Sequence, residues 1–94
     1  MTKDRLVQFS GTECVHCREM DPIIRKVEKE LGVKIHYVEV WHNEENAKFM
    51  ESVDTDGHGK VFCGGVPLFY NEKTGKKICG SCDFETLKNW ALGK

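Results

Sequence analysis

Leu6-Val7-Gln8-Phe9 is a short, largely apolar run with a β-branched residue, and it predicts a buried strand that Gly11-Thr12-Glu13 then breaks. From Cys17 onward, Met20, Ile23, Ile24, Val27 and Leu31 recur at helical spacing, and Gly32 suits the C-terminal cap. Pro22 falls inside that pattern, so a kink near the first turn is expected, because proline has no N–H to donate. Val33 to Trp41 alternates with period two and is rich in β-branched residues, which predicts a strand. Asn43 is a candidate cap for a second helix reaching Ser52 or Val53, with Ala47 and Met50 facing inward. Glu44 and Glu45 sit favourably at the positive end of its dipole.

The stretch Asp54-Thr55-Asp56-Gly57-His58-Gly59-Lys60 is polar and glycine-rich. It lacks the distal glutamate and remaining oxygen ligands of a calcium loop, so it is read as a solvated turn. Leu68-Phe69-Tyr70 and Lys77-Ile78-Cys79 flank Asn71-Glu72-Lys73-Thr74-Gly75, a good hairpin connection. Asp83 caps a last helix whose apolar face is Phe84, Leu87, Trp90 and Ala91. The order is βαβα, a hairpin, then α. A parallel unit followed by an antiparallel pair implies an α/β fold, one mixed sheet with helices on both faces. No repeat or linker interrupts the chain, so residues 1–94 are read as a single domain.

Composition adds exclusions. Hydrophobic residues are 39% and charged residues 31% of the 94, and nine aromatic residues provide core mass, which argues against disorder. A net charge of −1 gives no concentrated positive field, so neither nucleic acid nor an anionic membrane is an expected partner. The alternation Lys26-Val27-Glu28-Lys29-Glu30 reads as a solvated helix face. The start, Met1-Thr2-Lys3-Asp4-Arg5-Leu6, lacks the apolar stretch of a signal peptide, and no run is long enough to span a membrane. A cytoplasmic location is expected, or an organelle interior if a targeting segment was removed.

The chemistry lies in the cysteines. There are five, an odd number; four fall in two C-x-x-C spacings, Cys14/Cys17 and Cys79/Cys82, with Cys63 apart. In a reducing compartment such spacing means redox chemistry or metal more often than a structural staple. Cys14-Val15-His16-Cys17 follows a strand and opens a helix. A helix N-terminus offers unpaired N–H groups and about half a positive charge, which stabilises the thiolate that performs disulfide exchange. Cys14 at the exposed tip is the expected nucleophile, and Cys17, one turn in and more buried, the resolving thiol. His16 either favours the Cys14 anion or is a simple surface residue. The alternative is a metal module in which Cys14, Cys17, Cys79 and Cys82 (or Cys63) hold zinc or an iron–sulfur cluster. The 61 residues between the pairs exceed common zinc-ribbon spacing. A third reading is an adaptor without turnover. The redox reading requires no metal and no cofactor.

Together these residues resemble the thioredoxin superfamily, over essentially the whole chain. Phe9 stands five residues before Cys14, Pro22 five after Cys17, and Gly65-Val66-Pro67 precedes a strand. The resemblance implies the thioredoxin fold, βαβαββα with a four-stranded sheet, and thiol–disulfide exchange with protein disulfides or dithiols, recharged by a partner such as a reductase. It also implies that Pro67 follows a cis peptide bond beside the active-site pair and that Val66 supplies backbone contacts to substrate.

Several positions depart from the pattern. Cys79-Gly80-Ser81-Cys82-Asp83 is similar to the Gly-Gly-x-Asp stretch where glutaredoxins hold glutathione, but Ser81 replaces a glycine. The Pro-Tyr of that group and a basic residue before Cys14 are also absent, which weighs against glutathione. The tryptophan usual before the first cysteine is Glu13, and the usual buried aspartate is Gln8. Gln8 cannot take a proton, which leaves Glu13 or water as the candidate acceptor for Cys17. Cys63 and Cys79 read either as small buried hydrophobes or as members of one thiol cluster. On the second reading Cys82 is a low-pKa thiol at a helix start, opposed by the charge of Asp83, and a disulfide passes from Cys14/Cys17 to Cys79/Cys82.

Overall fold

The computed structural model describes residues 5–55 and 57–94; the expectations placed on residues 1–4 and on Asp56 lie outside the described residues. Seven elements follow in order: β1 (Leu6–Ser10), α1 (Val15–Leu31), β2 (Ile35–Glu39), α2 (Glu44–Val53), β3 (Leu68–Asn71), β4 (Lys77–Cys79) and α3 (Phe84–Leu92). The sheet order is β2-β1-β3-β4, with β1 and β2 parallel and the other pairs antiparallel. This is the βαβαββα arrangement expected from the alternation of patterns.

Strand alternation makes β1 the centre of two cores. Leu6 faces Met20, Ile24, Val27, Leu87 and Trp90, beneath α1 and α3. Val7 and Phe9 face the other way, against Met50 and Leu68, with Phe49 of α2 packed edge-on to Phe9 at 5.1 Å between ring centres. Every residue of β1 is buried, the polar Gln8 and Ser10 included, as befits a strand covered on both faces. Because β1 is clamped on both faces, the turn that follows it is fixed in space, and that turn carries Cys14.

α1 begins at Val15, in keeping with a helix opened by Cys14-Val15-His16-Cys17, and the Cys14 side chain accepts the Cys17 N–H and so serves as its N-cap. Helical backbone then continues through Pro22 to Leu31. Its buried stripe of Cys17, Met20, Ile24 and Val27 holds it to the sheet despite the missing donor. β2 is shorter than the alternating run. At its start, Gly32 adopts a left-handed conformation (φ 66°), and the Val33 N–H returns to the Glu28 carbonyl to close α1. At its end, the Glu39 carboxylate captures the N–H groups of Trp41 and His42 and turns the chain away. The helix caps at Asn43 and Asp83 stand where the sequence places them.

The far end of the molecule is latched by Asn71, which is buried. Its Nδ2 donates to the Trp90 carbonyl at 3.0 Å, and its Oδ1 accepts from the N–H groups of Lys73 and Thr74. The Trp90 indole N–H donates to the Lys76 carbonyl at 3.0 Å, so the β3–β4 turn and the end of α3 hold each other. Replacing Asn71 by Ala leaves the Trp90 carbonyl only its bond from the Gly93 N–H and takes the acceptor away from two turn donors. We predict a loss of about 1–3 kcal/mol in urea unfolding with an unchanged m-value.

Candidate active site

Three loops meet at the tip of α1. The first is the turn 11–14, whose Cys14 N–H donates to the Gly11 carbonyl at 3.1 Å. The second is the β2–α2 connection bearing Trp41 and His42. The third runs from Gly64 to Pro67, and its Val66–Pro67 peptide bond is cis. Cys14 and Cys17 stand at disulfide distance, with Cα atoms 5.2 Å apart. The Cys17 N–H points at Cys14 Sγ from 3.1 Å, and that sulfur lies 3.9 Å from the Val66 carbonyl oxygen. The first turn of α1 carries no acidic residue, so the positive end of the helix is left to the sulfur.

Cys14 is less accessible than its place at a helix tip suggests. It is 5% exposed against 3% for Cys17, because the Val66 loop presses on it. The Cys14 sulfur lies at the seam between Val66 and α1. Beside that seam is a cleft of about 540 Å³, lined on one side by Val61, Gly64, Gly65 and Val66 and on the other by Trp41, Ala47 and Met50. The Trp41 ring stacks on Gly11, and a Cβ at residue 11 would collide with the indole. Gly11 is thus required by close approach, and Trp41, half exposed, brings an aromatic surface to the site although Glu13 occupies the place before Cys14.

Glu39 organises this rim. Its carboxylate accepts from the Thr12 N–H and hydroxyl and from the Trp41 and His42 N–H groups, tying the first loop to the second. Desolvation would raise its pKa, but these hydrogen bonds, His42 first, outweigh it and hold the carboxyl below its ordinary range. Glu13 pairs with His42 Nε2 at 2.8 Å, and both side chains are exposed. Glu13 is thus tied through His42 to the opposite loop. A separate polar cleft of about 300 Å³ is lined by Ser10, Thr12, Cys17, Arg18, Asp21, Arg25 and Tyr37. Gln8 is buried below, and its Nε2 has no hydrogen-bond partner. His16 points into solvent and its Nδ1 meets the Glu19 carboxylate at 2.9 Å, so its partner is a surface acid and not the Cys14 sulfur.

The remaining cysteines depart furthest from expectation. Cys63 and Cys79 form a second disulfide, Cα atoms 5.4 Å apart, and Cys79 is exposed, so neither is a buried thiol. This pairing also removes Cys79 from Cys82, and with it the relay to a Cys79/Cys82 pair. Cys82 remains a half-buried thiol whose pKa is pushed up to about 11, by burial first and by the charge of Asp83 second. It is not a low-pKa nucleophile. Asp83 itself stays charged, held low chiefly by its side-chain hydrogen bond to Thr86. Among the described residues no three His, Cys, Asp or Glu side chains are placed to share a metal ion. The four-cysteine site fails on geometry, because each C-x-x-C is tied up differently.

The sheet order, the helices on both faces and a cysteine pair capping the first helix define a thioredoxin-fold protein with a CxxC centre. The chain belongs to the thioredoxin family: the family model described as Thioredoxin matches residues 1–91. No curated protein matches it in sequence. Among solved structures it is similar to a thioredoxin-like protein from Clostridium perfringens, determined in solution, with TM-score 0.71 and 16% identity over 97% of this chain and 71% of that one. It is also similar to oxidised thioredoxin O2 from Arabidopsis thaliana, with TM-score 0.61 and 18% identity over 96% of this chain and 78% of that one. No helix among the described residues is long and apolar enough to cross a membrane.

The Glu13–His42 pair makes a measurable prediction. His42 is raised above its ordinary 6.5, first by the Glu13 hydrogen bond and then by its charge. A raised folded-state value means the pair contributes fully below the unfolded pKa and is lost as pH rises through the folded one. Titration of the His42 ring by NMR should therefore give a midpoint above that of an isolated histidine. In Glu13→Gln the midpoint should fall toward the ordinary value.

Proposed function

We propose that this protein is a thiol–disulfide oxidoreductase that exchanges disulfides with protein substrates through Cys14 and Cys17. The observation that carries the reading is the Cys14 sulfur serving as N-cap of α1 with Cys17 at bonding distance. Family membership supports it, since thioredoxins act on protein disulfides and are recharged by reductases.

In the reducing direction, the Cys14 thiolate attacks one sulfur of the substrate disulfide. The substrate S–S bond breaks, a mixed disulfide forms on Cys14, and the departing substrate thiolate takes a proton. Cys17 then loses its proton and attacks Cys14 Sγ, closing the Cys14–Cys17 bond and releasing the second substrate thiol. With Gln8 unable to titrate and Glu13 engaged by His42, that proton passes to water in the polar cleft beside Cys17. Val66 presents its backbone to the substrate chain beside Pro67, which places the substrate sulfur over Cys14. Trp41 and the cleft next to Val66 receive the neighbouring side chains of the substrate. A reductase returns the pair to the dithiol. We place this work in the cytoplasm or an organelle interior, where such a reductase operates, and without glutathione as a dedicated ligand.

The test is trapping. Cys17→Ser should accumulate a mixed disulfide on Cys14 with disulfide-bearing proteins, reversed by dithiothreitol, while Cys14→Ser should trap nothing and reduce insulin no faster than the uncatalysed thiol background. Turnover surviving in Cys14→Ser would overturn the assignment.

A further inference from the structure

The Cys63–Cys79 disulfide takes no part in the exchange just described, yet it sits on the segment that forms the site. It joins the chain three residues ahead of Val66 to the last residue of β4. Among the described residues from Asp54 to Val66 there is neither helix nor strand beyond one isolated bridge between Thr55 and Val61. Its Cys63 and Val66 side chains pack against the core cluster of Val7, Phe9, Met50 and Leu68. The buried Asp54 carboxylate accepts the N–H of Cys63 at 2.6 Å and of Gly64 at 2.8 Å. The Lys77 ammonium donates to the carbonyls of Val53 and Thr55 and lies 5.1 Å from the Phe62 ring centre. Lys77 and Cys79 are two apart on β4, so they share one face of that strand, and together they anchor the segment to the sheet. Val61, Gly64, Gly65 and Val66 of this segment form one wall of the cleft beside Cys14.

We propose that Cys63–Cys79 is a second redox centre, opened reversibly by dithiols, and that its opening loosens the cleft wall and weakens substrate binding at Cys14. The consequence for substrate rests on the oxidoreductase reading; the opening and the loosening do not. A thiolate of the dithiol attacks the sulfur of Cys79, an exposed residue, the Cys63–Cys79 bond breaks, and Cys63 leaves as a thiolate that takes a proton. The second thiol of the dithiol attacks the mixed disulfide, freeing Cys79 as a thiol, and the reductant departs as its own disulfide. Two electrons enter and two cysteines are reduced. Cys82, three residues beyond Cys79, is kept protonated by burial and by Asp83, so it does not compete for Cys79. Asp54 keeps its grip on the backbone of Cys63 and Gly64 after opening, so the wall loosens without the fold coming apart.

The first experiment uses Cys14→Ser/Cys17→Ser, in which only Cys63–Cys79 is left to titrate. Equilibration with dithiothreitol buffers, alkylation and mass spectrometry should show Cys63 and Cys79 reduced together and re-formed on reoxidation. Amide exchange across 61–66 should quicken about tenfold or more in the reduced form while β1 is unchanged. The second compares the otherwise native protein with Cys63→Ala/Cys79→Ala, where KM for a peptide disulfide should rise about fivefold with kcat nearly constant, the pattern of lost uniform binding. A disulfide that dithiothreitol leaves intact in the folded protein, or equal exchange in both states, would overturn the proposal; an unchanged KM would overturn its link to substrate. If Cys14 and Cys17 prove inactive, or if the alanine pair fails to fold, the exchange measurement still decides.

Discussion

The site depends on one arrangement, a sulfur in place of a hydroxyl or carboxylate at the cap of α1. Helix ends leave backbone N–H groups unsatisfied, and Cys14 answers one of them with Sγ. On the proposed oxidoreductase reading, what satisfies the helix is also the reactive atom, so the stability of the first turn and the reactivity of Cys14 are the same interaction. The thiolate caps better than the thiol, since a charge-assisted hydrogen bond is the stronger one. This favours the anion in the reduced protein. The rest of the fold holds that tip still. β1 is buried on both faces, α1 is pinned by its apolar stripe, and the Val66 loop closes over the sulfur.

Much of this was legible because it rests on local signals. The period-two run, the helical stripe from Met20 to Leu31, the caps at Asn43 and Asp83 and the hairpin at Asn71 each follow from a few adjacent residues. So does the placement of Cys14-Val15-His16-Cys17 at a strand-to-helix junction. What escaped depends on residues distant in sequence. Glu39 looks like the polar member of an alternating strand, yet it ties Thr12 to Trp41 and His42 across 27 positions of chain. The Trp41 ring reaches the site because Gly11 has no side chain, a relation that neither residue signals alone.

The cysteines show the same limit more sharply. Spacing suggested that Cys79 belongs with Cys82, but Cys79 closes β4 while Cys82 lies beyond a turn, packed near Met20, its backbone N–H 3.5 Å from the Met20 sulfur. Cys63 reaches Cys79 because the Asp54 carboxylate curls residues 63 and 64 back toward the sheet. A charged residue buried in a loop was the available signal, and it reads as solvent-facing without the loop's conformation. Nearness to Cys14 in sequence makes Glu13 and His16 candidates at the site, whereas the structure pairs them with His42 and Glu19.

Taken together, the fold places one disulfide at the tip of a helix and another on the segment that walls the cleft beside it. The account is tested most directly by the pKa of Cys14 in the reduced protein, followed through the ultraviolet absorbance of its thiolate, with Cys17→Ser isolating the signal. Capping by sulfur at the positive end of α1 predicts a value clearly below the ~8.5 of an unperturbed cysteine. A value at or above that of a free thiol would contradict it.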